Sequence, residues 1–215
     1  MPNAARMADS TGHGTPLAPG PGCLTVLIGG FPAWRALPSG MANAVEPISN
    51  KMDGLMKRPQ LTPPDVTPTL VEICEALAEG AVKAVAAGAL VSAATAASQV
   101  VTLTAANVAL TAAWVAASAV PGGQAAATLA YTQGIKIAAA VAASAVMASM
   151  ASLSDMHVCP VPVPIPPHGP GFVPTGSGTV IIGNLGAARQ GDKLFEACGG
   201  SVPIAMGCPT VQIGD

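Results

Sequence analysis

One eight-residue pattern occurs three times in this chain: GCLTVLIG from Gly22, GSGTVIIG from Gly176 and GCPTVQIG from Gly207, each fitting G-[CS]-x-T-V-x-I-G. Short β-branched runs bounded by glycine read as strands. A unit this small cannot bury a hydrophobic face alone, so repetition implies one small β-structure assembled from equivalent units. One copy lies near the N-terminus and two lie beyond residue 175. The two ends of the chain are therefore expected to fold together.

The segments before each copy carry further matches. A-A-R-x-x-D occurs at residues 4–9 and again at 187–192, giving the pairs Arg6 with Asp9 and Arg189 with Asp192. A guanidinium can grip a carboxylate and fix a turn, so these four residues are read as structural. His13-Gly14 and Cys198-Gly199 each stand ten residues before the second position of their repeat, and His168-Gly169 stands nine before Ser177. Imidazole and thiolate are both zinc ligands. A fourth ligand comes from DMHVCP at 155–160: His157 is preferred, because it accounts for all three histidines, and Cys159 is the alternate. The expected site is a closed Zn2+ centre of His13, His157 (or Cys159), His168 and Cys198. A structural metal also suits terminal segments with few large apolar side chains. Cys23 and Cys208 are read as small packed residues, since Ser177 fills the same place in the middle copy.

The centre of the chain is of another kind. Residues 1–35 hold the first A-A-R segment and first repeat, 36–68 form a Pro-rich connector with a short helix near 46–57, 69–153 are Ala-rich, and 154–215 hold the remaining repeats. From residue 69, 52 residues run without proline until PGG at 121–123, and no charged residue occurs from Ala84 to Ile135. This predicts a long helix capped by Thr69 with Glu72, a turn, and a second helix. The stretches 84–106 and 100–120 are each long enough to cross a bilayer, at ~20 residues per span, and 137–153 is only marginally long. The composition is Ala, Ser, Thr and Gly, which favours close helix–helix packing over strong insertion. A membrane-compatible hairpin is the preferred expectation, and a soluble bundle the alternative.

Composition narrows the function. A net charge of −2 gives no basic footprint for nucleic acid. Five cysteines, an odd number, and no apolar leader point to a reducing cytoplasm. No Ser-His-Asp, HExxH or paired-carboxylate pattern is present, so no enzymatic activity is expected.

TVIIGNLGAARQGDKLFEACGG followed by GCPTVQIGD resembles the PAAR-repeat domain, and AARMADSTGH resembles the prePAAR pattern A-A-R-x-x-D-x-x-x-H at Ala4, Ala5, Arg6, Asp9 and His13. The resemblance implies a zinc-pinned β-cone at the tip of the type VI secretion spike, completed by the N-terminal segment, with an inserted transmembrane region. It implies a VgrG spike trimer as the partner and an Eag-type chaperone that shields the apolar helices in the bacterial cytoplasm. It further implies delivery to the target cell's inner membrane, and a fused or cleaved C-terminal toxin or Rhs cage. With Asp215 directly after the third repeat, the chain is expected to be either a fragment or a stand-alone tip. A different function, a membrane-permeabilising toxin carried by the tip, is the alternative.

Overall fold

The computed structural model describes residues 1–162 and 167–214. Its β-elements come from both ends of the chain. Before the helices lie β1 (Asn3–Ala4), β2 (Cys23–Ile28) and β3 (Phe31–Ala33). After them come β4 (His157–Pro162), β5 (Pro167–Phe172), β6 (Ile181–Ile182), β7 (Leu185–Gly186), β8 (Lys193–Glu196), β9 (Gly200–Pro203) and β10 (Cys208–Gln212). β1 pairs antiparallel with β10, so the first and last strands are neighbours. Isolated bridges join Ala4 to Arg189, Thr11 to Ile204 and Pro19 to His157. A four-stranded sheet runs in the order β4-β5-β8-β9.

The repeats meet around a closed ring of backbone hydrogen bonds. Ala5 N–H donates to Ala188 O at 2.9 Å, Ala188 N–H to Trp34 O at 2.9 Å, and Trp34 N–H to Ala5 O at 3.0 Å. Each bond joins a different pair of repeats, so one from the N-terminal end is locked between one from the C-terminal end and the 31–35 segment. On one side of the ring, Ala4, Ala33 and Ala187 pack with Cys23, Cys208, Ile28, Ile182 and Ile213. The Cys/Ser position is equivalent in all three repeats: Cys23 Sγ, Ser177 Oγ and Cys208 Sγ each lie 3.3 Å from the hydroxyl of the threonine two residues on. A second small core holds Ala5, Trp34 and Ala188 with Leu17, Val173, Leu194, Val202 and Ile204.

Residues between β3 and β4 form four helices: α1 (Ala42–Lys57), α2 (Pro63–Ala86), α3 (Ser92–Ser118) and α4 (Gln124–Ala148). α1 buries Val45, Ile48, Met52, Leu55 and Met56, the spacing of one helical face. It ends at Arg58, whose ψ of 123° is the extended geometry required before Pro59. Pro63 and Pro64 then occupy the first turn of α2, where their missing N–H groups cost no hydrogen bond. The helix therefore begins before Thr69, which lies inside α2 rather than capping it. The expected 52-residue helix is also broken: Gly88 takes φ +108°, and α2 ends at Ala86. Pro121-Gly122-Gly123 separates α3 from α4 as expected. The hairpin is thus half of a four-helix arrangement.

The main core joins these helices to the sheet, with Phe172, Phe195, Ala197 and Cys198 packed among residues of α1, α2 and α4. α3 is the least covered, burying only Ser92, Ala96 and Leu103, while Val101, Val108 and Val115 face solvent at seven-residue spacing. α3 and α4 are both long and apolar enough to cross a membrane, though half of the most apolar stretch of α4 is buried within the protein.

Candidate metal centre

Each repeat opens with a turn closed by an Arg–Asp clasp. In the first, Arg6 N–H donates to Asp9 Oδ2 at 2.9 Å and Arg6 Nε to Asp9 Oδ1 at 3.1 Å. In the third, Arg189 N–H donates to Asp192 Oδ2 at 2.8 Å and Arg189 Nη2 to Asp192 Oδ1 at 3.1 Å. The second repeat has the same clasp, split across the chain. Arg35 N–H and Nε both donate to Asp155 Oδ2 at 2.9 Å, and Nη2 donates to Oδ1 at 2.8 Å. Hydrogen bonding to Asp155 raises the pKa of Arg35 further. All four helices are therefore inserted into one turn, between Arg35 and Asp155.

Counting four residues forward from each clasp aspartate gives His13, Cys159 and Glu196. These three meet His168 in one cluster whose ligand atoms all lie within 4.8 Å of one another. Cys159 Sγ is 3.6 Å from His13 Nδ1 and 3.7 Å from His168 Nδ1, and His13 Nδ1 is 3.4 Å from Glu196 Oε1. Tetrahedral zinc with bonds of roughly 2.0–2.3 Å needs ligand separations of about 3.3–3.8 Å, and these three fall in that range. His168 Nδ1 and Glu196 Oε2 are closer, at 2.6 Å, and share a hydrogen bond.

The donor chemistry also fits a cation. Glu196 is fully buried, and among the described residues its Oε1 has no hydrogen-bond donor. Among the described residues its ion-pair neighbours are the three histidines. A buried carboxylate without a fixed counter-charge is costly, and a divalent ion supplies the charge. Burial pushes the Cys159 thiol up to about 11, so the polypeptide alone holds it protonated, and a bound metal would favour the thiolate. His13, Cys159, His168 and Glu196 are thus the residues that would hold a metal ion, with one sulfur, two nitrogens and one oxygen donor.

This set differs from the sequence expectation at two places. Cys198 lies outside the cluster: its Sγ faces Ala140 O of α4 at 4.0 Å, and burial in the helix–sheet core pushes its thiol up to about 12. Counting back from the glycine-bounded strands misplaces it because the intervening segments, 9–22, 155–176 and 192–207, differ in length. Counting forward from the aspartates keeps register, since the clasp fixes the start of each segment. His157 sits at the cluster's edge, fully buried, with Nε2 3.9 Å from Glu196 Oε1 and 3.4 Å from Thr15 Oγ1, while Cys159 takes a central place. Burial lowers the pKa of His157. The signal for Glu196 and for the second clasp was in the chain: A-W-R at 33–35 and D-M-H-V-C at 155–159 join into that clasp with Cys159 four residues after its aspartate, as Glu196 stands four after Asp192 and His13 four after Asp9.

Comparison with protein families matches the PAAR motif at residues 146–203, about a quarter of the chain. That segment contains Cys159, His168 and Glu196, while His13 reaches the cluster from outside it. Searches of curated proteins and of solved structures each gave no match. The C-terminal part of the chain carries a PAAR motif, and this supports a PAAR-repeat protein.

Proposed function

We propose that this protein is a spike-tip and effector-delivery module of a type VI secretion system, and not an enzyme. The observation that carries the reading is the ring of three repeats drawn from both ends of the chain, with His13 brought into the cluster formed by Cys159, His168 and Glu196. Zinc bound there is structural: it ties residue 13 to residues 159–196 and adds folding free energy to a small β-domain.

The three repeats also suit a trimeric partner. Leu24, Leu27, Phe31, Ile181 and Val211, on or beside the glycine-bounded strands, are all exposed. Exposed apolar residues on repeated strands, around a pseudo-threefold ring, complement the blunt end of a VgrG trimer. The α3 surface has no charge and a row of exposed valines. In the producing cytoplasm it fits an Eag-type chaperone, and after firing it fits the target cell's inner membrane. A fused or cleaved toxin, or an Rhs cage, would be the cargo. Nucleic acid is not a partner in this reading.

The test is metal content together with spike binding. Purified protein should contain one zinc per chain, and His13→Ala should lose most of it. Leu27→Asp with Ile181→Asp should abolish co-purification with a VgrG trimer while retaining zinc. A zinc-free wild type, or unimpaired VgrG binding by the double variant, would refute the corresponding part. The exposed, uncharged α3 favours one second reading, a membrane-permeabilising toxin carried on the tip. Periplasmic expression that depolarises the inner membrane would support it, and an unchanged potential would count against it.

A further inference from the structure

We propose that Arg35 and Asp155 are positioning residues for the metal centre, forming a side-chain clasp that takes over the work of a covalent turn and holds Cys159 in the cluster. The inference rests on the cluster being a metal site. In the first and third repeats, two residues separate the clasp Arg from its Asp, and backbone bonds close the turn: Asp9 N–H donates to Arg6 O at 3.1 Å and Asp192 N–H to Arg189 O at 3.0 Å. The short covalent turn and the clasp together then set where the segments leading to His13 and Glu196 begin. In the second repeat, residues 36–154 intervene. No short covalent link fixes Asp155 against Arg35, yet the same geometry is present.

Side chains rebuild it. The Arg35–Asp155 pair has three hydrogen bonds, and Asp155 is 1% exposed. The single Ser154 hydroxyl proton is shared between Ala36 O at 2.8 Å and Arg35 O at 3.0 Å, in place of the backbone bond of the other turns. The two ends of the helical insertion are thereby joined where they leave the β-domain. From Asp155 the chain passes directly into β4, where His157 pairs with Gly171 and Cys159 with Gly169. Side chains alternate faces along a strand, so a one-residue slip of β4 would turn Cys159 away from the cluster. The clasp fixes that register at its start.

Cys159 is the cluster's only sulfur donor, which gives a selective readout. Full-length protein is loaded with Co2+, and the thiolate-to-cobalt charge-transfer band is measured per bound cobalt. Asp155→Asn is compared with Asp192→Asn, which opens the equivalent clasp on the Glu196 repeat. Asp155→Asn should weaken cobalt binding by about 10–100-fold, the usual range for outer-shell changes, and should reduce the sulfur band per cobalt while keeping helical circular dichroism. Asp192→Asn should weaken binding but leave that band intact. If Asp155→Asn does not fold, Arg35→Lys, which retains charge without the planar fork, should show the same selective loss in part. An undiminished band in Asp155→Asn or Arg35→Lys, or an equal loss in Asp192→Asn, overturns the positioning role. A wild-type protein that binds no cobalt overturns the metal reading itself, and the clasp's role with it.

Discussion

Lys136 is the only charged residue between Ala84 and Leu153, and it lies near the midpoint of α4. In the folded protein it is buried, with its Nζ donating to Met56 O at 2.9 Å and Arg58 O at 2.6 Å. These are end carbonyls of α1, which have no intrahelical donor, and the positive charge also complements the helix C-terminus. One turn earlier, Thr132 Oγ1 accepts from Leu61 N–H at 2.9 Å. Two polar contacts on one face of α4 therefore bind it to the α1–α2 connection.

Replacing Lys136 by Met keeps most of the side-chain length and removes the ammonium. The buried Met56 carbonyl and the part-buried Arg58 carbonyl lose their donor, at about 1–3 kcal/mol for the first and less for the second, partly offset by relief of the buried charge. The helical bundle should lose about 1–3 kcal/mol. The opposite effect is expected in a bilayer, where a lysine at the centre of a span costs about 2.5–3.5 kcal/mol. The variant should therefore unfold at lower urea concentration, followed by far-ultraviolet circular dichroism, and should float more with phospholipid vesicles. Unchanged or increased stability would show that the amine does not hold α4 in place. Lower stability with no gain in vesicle association would refute α4 as an inserting helix.

Three further outcomes follow from the packing. A Cβ added at Gly199 would lie 2.4 Å from His168 Nδ1, so Gly199→Ala should weaken zinc binding at least tenfold by chelator competition; unchanged affinity would contradict the cluster's placement. Ala105 is exposed on α3, so Ala105→Arg should leave urea stability within about 0.5 kcal/mol and impair membrane insertion by about 2.5–3.5 kcal/mol. Equal vesicle partitioning of that variant would argue against α3 entering a bilayer. Ala188 is fully buried in the three-way ring, so Ala188→Leu should destabilise the β-domain by about 1–3 kcal/mol through overpacking. Near-ultraviolet dichroism of Trp34, whose carbonyl accepts from Ala188, reports the result, and an unchanged melting curve would refute the closed ring.

Repetition made the β-domain legible before any coordinates. The G-[CS]-x-T-V-x-I-G copies and the two A-A-R-x-x-D segments are short-range patterns, and their meaning survives the distance between them. The helices were legible as helices, because Pro121-Gly122-Gly123 and the uninterrupted Ala-rich runs are local signals. Their number was not. Gly88 in an Ala-rich run is tolerable in a helix, and only its left-handed φ marks it as a break. The N-terminus of α2 was hidden by Pro63 and Pro64, which read equally as linker or as a first turn. The metal site was legible in kind but not in membership. Cys198 stands beside a glycine as the two expected histidines do, yet strand pairing of β8 with β9 leaves it facing α4 and Glu196 facing the cluster.

The position of the insertion explains how one chain can hold both parts. Helices placed inside a repeat's strand would break its pairing, and helices placed between ring residues would open the ring. A turn between a clasp arginine and its aspartate is different, because both residues are held by side-chain bonds as well as by the backbone. Loop-closure entropy grows only slowly with length, so replacing two turn residues by the segment 36–154 costs far less than its size suggests. The three hydrogen bonds between Arg35 and Asp155 keep the clasp that the connected turns also have, and Ser154 takes the place of their backbone bond. The insertion thus leaves the ring and its cluster intact, while the helices stay packed on the sheet through Phe172, Phe195, Ala197 and Cys198.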